Sequence, residues 1–308
     1  MLGAVVLFVT FGIPYFFAVL ITRAGTRPMD LRDTITPADY GLEFEEVEFE
    51  ASDGVPLRGW FLDGDREDAS VAVGHGLFRS RKEVLDRAAL FRKLGFDTLV
   101  FDFRRHGASG GERTTLGYIE RLDFQGAVAF LREREPGARV LVYGVSMGAA
   151  AAILAARATP EISAVIADSP FYDIEQTVVH HVRLIFGLPR FPFADVLLYF
   201  LELRGGFDRE DFALEPAVRS LGKRPVLILA GERDERMPPE LQRKLYEASA
   251  SPASGFHVFP GAGHGAAYRT DPDSYWSAIV DFLTRVNLSI PRAPEPAASD
   301  ERSSRGSP

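Results

Sequence analysis

The sequence predicts an α/β fold in which helices cover both faces of a mostly parallel, eight-stranded sheet. Two observations support this prediction. Short apolar runs alternate with segments of helical periodicity along most of the chain, which is typical of strand–helix–strand units. The composition is that of an ordinary globular protein, with 46 % hydrophobic and 25 % charged residues among 308.

The sheet is predicted to begin with an antiparallel hairpin. Residues 44–50 and 55–62 alternate in polarity and flank Asp53-Gly54, a pair that favours a tight turn. Further strands are expected at 70–74, 97–102, 139–143, 163–167, 225–230 and 255–259. Helices are expected near 80–94, 118–134, 147–157, 239–249 and 273–286.

Several segments lie outside this alternation. Residues 23–42 form a polar linker before a main domain at 43–287. Within that domain, residues 171–223 separate two strands by more than a crossover needs, so we expect a cap over the carboxyl edge of the sheet. The tail at 288–308 is rich in proline, serine, alanine and arginine and is expected to be disordered.

Residues 1–22 are predicted to form a membrane anchor that is retained in the mature protein. Residues 2–22 carry no charge and would span about 30 Å as a helix. A cleaved signal peptide or a soluble apolar helix is the alternative, but no basic residue precedes the run and Arg23 directly follows it. Because Arg23, Arg27 and Arg32 all follow the span, the positive-inside rule favours a single-pass protein whose main domain is cytoplasmic.

Charge and cysteine content exclude several functional classes. A formal net charge of −8 argues against a nucleic-acid partner, which requires a basic face. The absence of cysteine excludes disulfides, thiolate metal sites and cysteine nucleophiles. We expect no cofactor and no metal ion, and the sequence does not indicate an oligomeric state.

The sequence Gly144-Val-Ser146-Met-Gly148 links an apolar strand to an alanine-rich helix. A G-x-S-x-G motif in this context is a nucleophile elbow, a sharp turn that lifts the serine hydroxyl above the sheet. Larger side chains at the two glycines would collide with neighbouring backbone. The motif therefore predicts Ser146 as a nucleophile.

A serine nucleophile requires a base, and the base requires a carboxylate that orients it. In proteins with such an elbow, the acid follows the serine along the chain and the histidine follows the acid. His264 lies in a glycine-rich loop after the last strand and is the predicted base. His257, inside that strand, is more simply a packing residue. The other four histidines precede the serine or the predicted acid: His75, His106, His180 and His181.

Asp234 is the predicted acid, because it lies in the turn between a buried strand and a helix whose start is marked by prolines. Glu232 and Glu235 compete for this role within the same turn. Asp168, at the end of the preceding strand, is a further alternative.

The oxyanion of an acyl-transfer intermediate needs backbone N–H donors. Met147, directly after the nucleophile, is expected to supply one of them. Leu77 is expected to supply the other from the loop after the first parallel strand, where His75-Gly76 makes a tight turn. His75 is predicted to fix this loop rather than act as a base.

Together these segments resemble the alpha/beta-hydrolase superfamily, in the branch of serine aminopeptidase-like, monoglyceride-lipase-like and membrane-anchored esterase-like proteins. The resemblance covers roughly residues 43–287 and implies a triad of Ser146, Asp234 and His264 with an oxyanion hole of Leu77 and Met147. The usual Arg-Gly-His-Gly is Arg-Arg-His-Gly here, a departure at Arg105. The matching segments are His75-Gly76, Asp102 to Gly110, Thr115-Leu-Gly-Tyr, Gly144 to Gly148, Asp168-Ser-Pro-Phe171, Gly231 to Asp234 and Gly263-His264.

We therefore expect a serine hydrolase that cleaves carboxylic esters through an acyl-enzyme intermediate, with a small-molecule ester or acyl compound as its substrate. A serine peptidase, a thioesterase and a catalytically silent scaffold are the alternatives. Apolar residues in the cap suit a lipid-like acyl chain, but packing onto the core is the commoner role. Likewise Arg79 and Arg81 suit an anionic substrate or ordinary helix-start charges.

Overall fold

The computed structural model describes residues 1–288 and contains the predicted eight-stranded sheet. The first three strands in spatial order, β1, β2 and β4, pair antiparallel, and β4, β3, β5, β6, β7 and β8 follow in parallel. The fold-class prediction is thus confirmed. The strands are β1 (Glu45–Glu50), β2 (Pro56–Leu62), β3 (Ala69–Gly74), β4 (Asp97–Asp102), β5 (Arg139–Val145), β6 (Ile162–Asp168), β7 (Val226–Gly231) and β8 (Gly255–Phe259).

Each predicted helix is present, although some begin later than expected. The segment expected from residue 80 opens with a 3₁₀ turn at Arg81–Val84, and the helix itself begins at Leu85. The predicted tail lies, apart from Leu288, outside the described residues. The helices are α1 (Leu2–Thr22), α2 (Pro28–Arg32), α3 (Leu85–Lys93), α4 (Arg121–Arg134), α5 (Met147–Ala158), α6 (Ile174–Phe186), α7 (Asp195–Gly205), α8 (Leu214–Ser220), α9 (Pro239–Glu247), α10 (Ala267–Thr270) and α11 (Pro272–Arg285).

The sheet separates two apolar cores. In β3, Val71 and Val73 belong to the core shared with α3 and α11, whereas Ala72 belongs to the core shared with α4 and α5. Successive side chains on a strand point to opposite faces. Every residue of β3 is buried, and all of them except Ser70 are apolar.

The segment between β6 and β7 contains α6, α7 and α8, and α1 packs along it. The Tyr15 and Phe200 rings lie 5.1 Å apart, and the Arg204 Nε donates to Thr22 Oγ1 at 2.9 Å. The segment after α1 is hydrogen-bonded to the main domain. Thr26 Oγ1 donates to the Arg79 carbonyl at 2.7 Å, so this segment is fixed to the loop that follows β3.

Candidate active site

Ser146 lies at the sharp turn between β5 and α5, at a φ of +53°, which is uncommon for a residue other than glycine. Its N–H donates to the Asp168 carbonyl at 2.8 Å. A Cβ at Gly144 would lie 2.2 Å from the Gly148 carbonyl oxygen, and a Cβ at Gly148 would lie 2.6 Å from the His75 carbonyl oxygen. The two glycines are therefore a steric requirement of this turn.

The structure brings together the three residues predicted to form a triad. His264 Nε2 lies 2.9 Å from Ser146 Oγ, and His264 Nδ1 lies 2.8 Å from Asp234 Oδ2. The other carboxylate oxygen of Asp234 accepts the N–H groups of Arg236 at 3.0 Å and Met237 at 2.9 Å. With Nδ1 donating to Asp234, Nε2 is left to accept the serine proton.

The loops that carry the acid and the histidine approach each other closely because β7 ends in glycine. A Cβ at Gly231 would lie 2.5 Å from the Ala262 carbonyl oxygen and 2.6 Å from that of Gly263. The Arg233 N–H also donates to the Ala262 carbonyl at 2.8 Å. The two loops are thus joined through their backbones, which fixes the separation of Asp234 and His264.

Within residues 1–288, neither the alternative acids Glu232 and Glu235 nor the alternative base His257 is hydrogen-bonded to Ser146 or His264. The Glu232 carboxylate accepts the Gly261 N–H at 2.8 Å, and the Glu235 carbonyl pairs with His180 Nε2 at 2.6 Å. His257 packs beside Phe259 on β8, with the two ring centroids 4.5 Å apart.

The loop after β3 passes directly beside the nucleophile. A Cβ at Gly76 would lie 3.7 Å from Ser146 Cβ. The Gly76 N–H donates to Glu83 Oε2 at 2.7 Å, and burial raises the pKa of the Glu83 carboxyl. Among residues 1–288, no acceptor pairs with the N–H groups of Leu77 and Met147. Both groups are consequently free to donate to a bound oxygen.

His75 is fully buried and fixes this loop, as the sequence indicates. Its Nε2 accepts the Phe103 N–H at 3.1 Å, so its Nδ1 carries the proton donated to the Gly76 carbonyl at 2.7 Å. Burial lowers the pKa of His75 well below its usual value. The ring is therefore neutral, with both nitrogens occupied.

A buried polar network behind His264 was not foreseen from the sequence. The Gly265 N–H donates to Ser169 Oγ at 3.1 Å, and Ser169 Oγ donates to Asp168 at 2.9 Å. The Tyr275 hydroxyl donates to the same carboxylate at 2.8 Å. Burial raises the pKa of both Asp168 and Tyr275. Asp168 thus has partners other than the histidine and supports the loop indirectly.

The two arginines considered for an anionic substrate are already paired. Arg79 Nε lies 2.9 Å from Glu83 and 3.3 Å from Asp30. Arg81 lies 3.3 Å from Glu46 and stacks over the Trp60 ring, with its Cζ 4.0 Å from the ring centroid. Both therefore support the fold around the loop after β3.

The protein is similar in fold and in sequence to known proteins. The model of the family described as serine aminopeptidase, S33, matches residues 65–197. The Pyrococcus furiosus esterase Pf2001 superposes with a TM-score of 0.70 at 28 % identity, covering 86 % of this chain and 98 % of the esterase.

Two curated relatives match over most of their length. The alpha/beta hydrolase domain-containing protein WAV2 of Arabidopsis thaliana is 28 % identical over 272 residues, 82 % of each chain. The uncharacterized membrane protein YNL320W of Saccharomyces cerevisiae is 25 % identical over 258 residues, 80 % of this chain and 82 % of the relative. The chain thus has the alpha/beta-hydrolase fold and is similar in sequence to alpha/beta-hydrolase proteins, and this fold supports a hydrolase activity.

Proposed function

We propose that this protein is a serine hydrolase that cleaves carboxylic esters through an acyl-enzyme intermediate. Ser146 is the nucleophile, His264 the general base and Asp234 the carboxylate that orients the imidazole. The observation that carries the proposal is the continuous hydrogen-bonded chain from Asp234 through His264 to Ser146, at 2.8 and 2.9 Å.

The reaction follows from this arrangement. As Ser146 Oγ attacks the ester carbonyl, its proton passes to His264 Nε2 and Asp234 stabilises the imidazolium. The N–H groups of Leu77 and Met147 donate to the oxyanion. His264 then protonates the leaving alkoxide. In the second half-reaction His264 removes a proton from water, which attacks the acyl carbonyl. His264 then returns this proton to Ser146 Oγ as the acyl–serine bond breaks and the acid leaves.

An ester substrate is favoured by the similarity to the Pyrococcus furiosus esterase. The description of the matching family favours peptide hydrolysis as the second candidate. A panel of p-nitrophenyl esters of increasing chain length, with aminoacyl anilides and acyl thioesters alongside, separates these substrates. Turnover of the anilides alone would favour a peptidase, and turnover of the thioesters alone a thioesterase.

A fluorophosphonate probe tests the proposed nucleophile directly. We expect a covalent adduct on Ser146 in the native protein and none in Ser146→Ala. Ester turnover should fall by about 10⁴-fold in Ser146→Ala, with an unchanged melting temperature. A native protein that forms no adduct would instead favour a catalytically silent scaffold.

We further propose that α1 anchors the protein in a membrane, with the catalytic domain in the cytoplasm. The helix has 21 residues and a mean hydropathy of 2.5 over its most apolar window. Since the chain lacks cysteine, a single cysteine at Gly137 reports the topology in intact bacterial cells. A membrane-impermeant maleimide should label this site only after the cells are broken.

A further inference from the structure

The cap exposes large apolar side chains on α6, on α7 and on the segment between them, and α7 packs against α1. These six side chains are between 43 % and 77 % exposed, whereas a soluble protein usually scatters such residues singly. We call these residues the apolar cap face: Leu184, Ile185, Phe186, Phe191, Tyr199 and Leu203.

This face is continuous with the exposed side of α1. The rings of Phe17 and Phe186 lie 5.0 Å apart, so the end of α6 contacts the anchor helix directly. Further along, Phe8–Gly12 of the anchor lies against Arg190–Ala194 of the cap. On the anchor, Phe16 is 61 % and Leu20 48 % exposed. The two elements thus present one apolar surface.

The packing limits how α1 enters a membrane. A helix of 21 residues is about 30 Å long, the thickness of the apolar layer of a bilayer. The cap lies beside the helix from Phe8 onward, so only the first six residues, about 9 Å, extend beyond it. The helix therefore cannot cross the apolar layer without taking the cap into it.

We propose that the apolar cap face is embedded in the lipid layer together with α1, so that the domain rests in the membrane rather than hanging from a tether. This inference depends on the proposed membrane attachment and not on the proposed chemistry. The segment that follows α1 is joined to the oxyanion loop, because the Arg27 N–H donates to the Phe78 carbonyl, next to Leu77, at 2.9 Å. An acyl ester dissolved in the bilayer would then lie beside the oxyanion loop.

Single cysteines carrying an environment-sensitive fluorophore test the proposal in the full-length protein. Ile185→Cys labels the apolar cap face, and Val6→Cys labels the free part of α1. Gly137→Cys is the matched control, because Gly137 is exposed, has open space around its Cβ, and precedes β5 at the opposite end of the sheet from Ser146. Each variant is reconstituted into phosphatidylcholine–phosphatidylglycerol vesicles with or without acyl-chain-brominated lipid. A melting temperature equal to that of the native protein establishes that each variant is folded.

We expect blue-shifted emission, and a loss of about half the fluorescence with brominated lipid, at Ile185 and Val6 but not at Gly137. Quenching at Val6 alone would show that the apolar cap face lies outside the lipid layer, although α1 is inserted in it. A blue shift without quenching at Ile185 would also overturn the proposal, since a second protein surface would then cover the face. Absence of quenching at both sites would overturn the membrane attachment itself, while ester turnover would still test the chemistry separately.

Discussion

The Gly265 N–H donates to Ser169 Oγ at 3.1 Å, which joins the loop of the proposed base to the end of β6. Ser169 has a φ of +55°, and its hydroxyl donates a hydrogen bond to the Asp168 carboxylate at 2.9 Å. The strand that precedes the cap thus supports the loop that carries His264. Ser169 is a positioning residue, since it acts through the neighbouring Gly265.

Removing this support should slow turnover. We expect Ser169→Ala to lower kcat about three- to tenfold with little change in KM, because one hydrogen bond of about 1 kcal/mol no longer fixes the loop. Fluorophosphonate labelling of Ser146 should slow by the same factor. Ser163→Ala, at the other end of β6, is the matched control. Equal effects of both variants would mean that the hydroxyl acts only through general stability.

The fold was largely predictable because most of the parallel strands are buried on both faces. Such strands are mostly apolar runs, whereas β1 alternates in polarity, and all eight strands were predicted within a few residues. The late start of α3 was not predicted, because a 3₁₀ turn and an α-helix share similar side-chain spacing. Ser146, Asp234 and His264 were also predictable from the residues around them: a G-x-S-x-G motif, a turn after a buried strand and a glycine-rich loop.

What the sequence did not reveal are contacts between residues distant along the chain. The Tyr275 hydroxyl reaches the Asp168 carboxylate across 107 residues, and no local pattern signals that pair. Glu83 looks like an ordinary exposed helix-start charge, yet it accepts the Gly76 N–H beside the nucleophile. The packing of α1 on the cap was also not predictable, because the apolar character of a helix does not specify which element it packs against.

The assignment of the acid is testable by paired substitutions. Asp234→Asn should lower kcat by about 10⁴-fold, because the amide does not hold Nδ1 of His264 in the donating tautomer or stabilise the imidazolium. Asp168→Asn should retain most of the turnover, since Asp168 bonds to Tyr275 and Ser169 rather than to His264. Glu232→Gln serves as an exposed carboxylate control. A larger loss of kcat in Asp168→Asn than in Asp234→Asn, at unchanged melting temperatures, would assign the role of the acid to Asp168.

The oxyanion hole is testable because a proline removes a backbone donor. Leu77→Pro should lower kcat by about 10²–10³-fold, as expected for loss of one oxyanion donor. Leu77→Ala keeps the N–H group and should retain most of the turnover. Met147→Ala should likewise keep much of the activity while lowering stability, because the side chain is buried. A loss in Leu77→Ala as large as that in Leu77→Pro would assign the effect to the side chain.

Stability should depend on pH through the buried imidazole of His106. Burial lowers the pKa of this ring, whose Nδ1 pairs with the Arg104 carbonyl at 3.0 Å. In the unfolded chain a histidine has a pKa of about 6.5, so the unfolded state binds more protons below that pH. The free energy of unfolding should therefore fall on acidification, by at most about 1.4 kcal/mol per pH unit from this residue.

His106→Asn keeps an N–H donor near the position of Nδ1 and removes the titration. Urea unfolding of both proteins in a mild detergent, from about pH 8 to about pH 5, should show a shallower loss of stability in the variant. Above about pH 7.5 the His106 imidazole is neutral in the folded and unfolded states, so the difference between the two proteins should stay constant there. The neutral, buried His75 should account for part of the slope that remains. Parallel curves over the whole range would show that His106 takes up its proton as readily in the folded protein as in the unfolded chain.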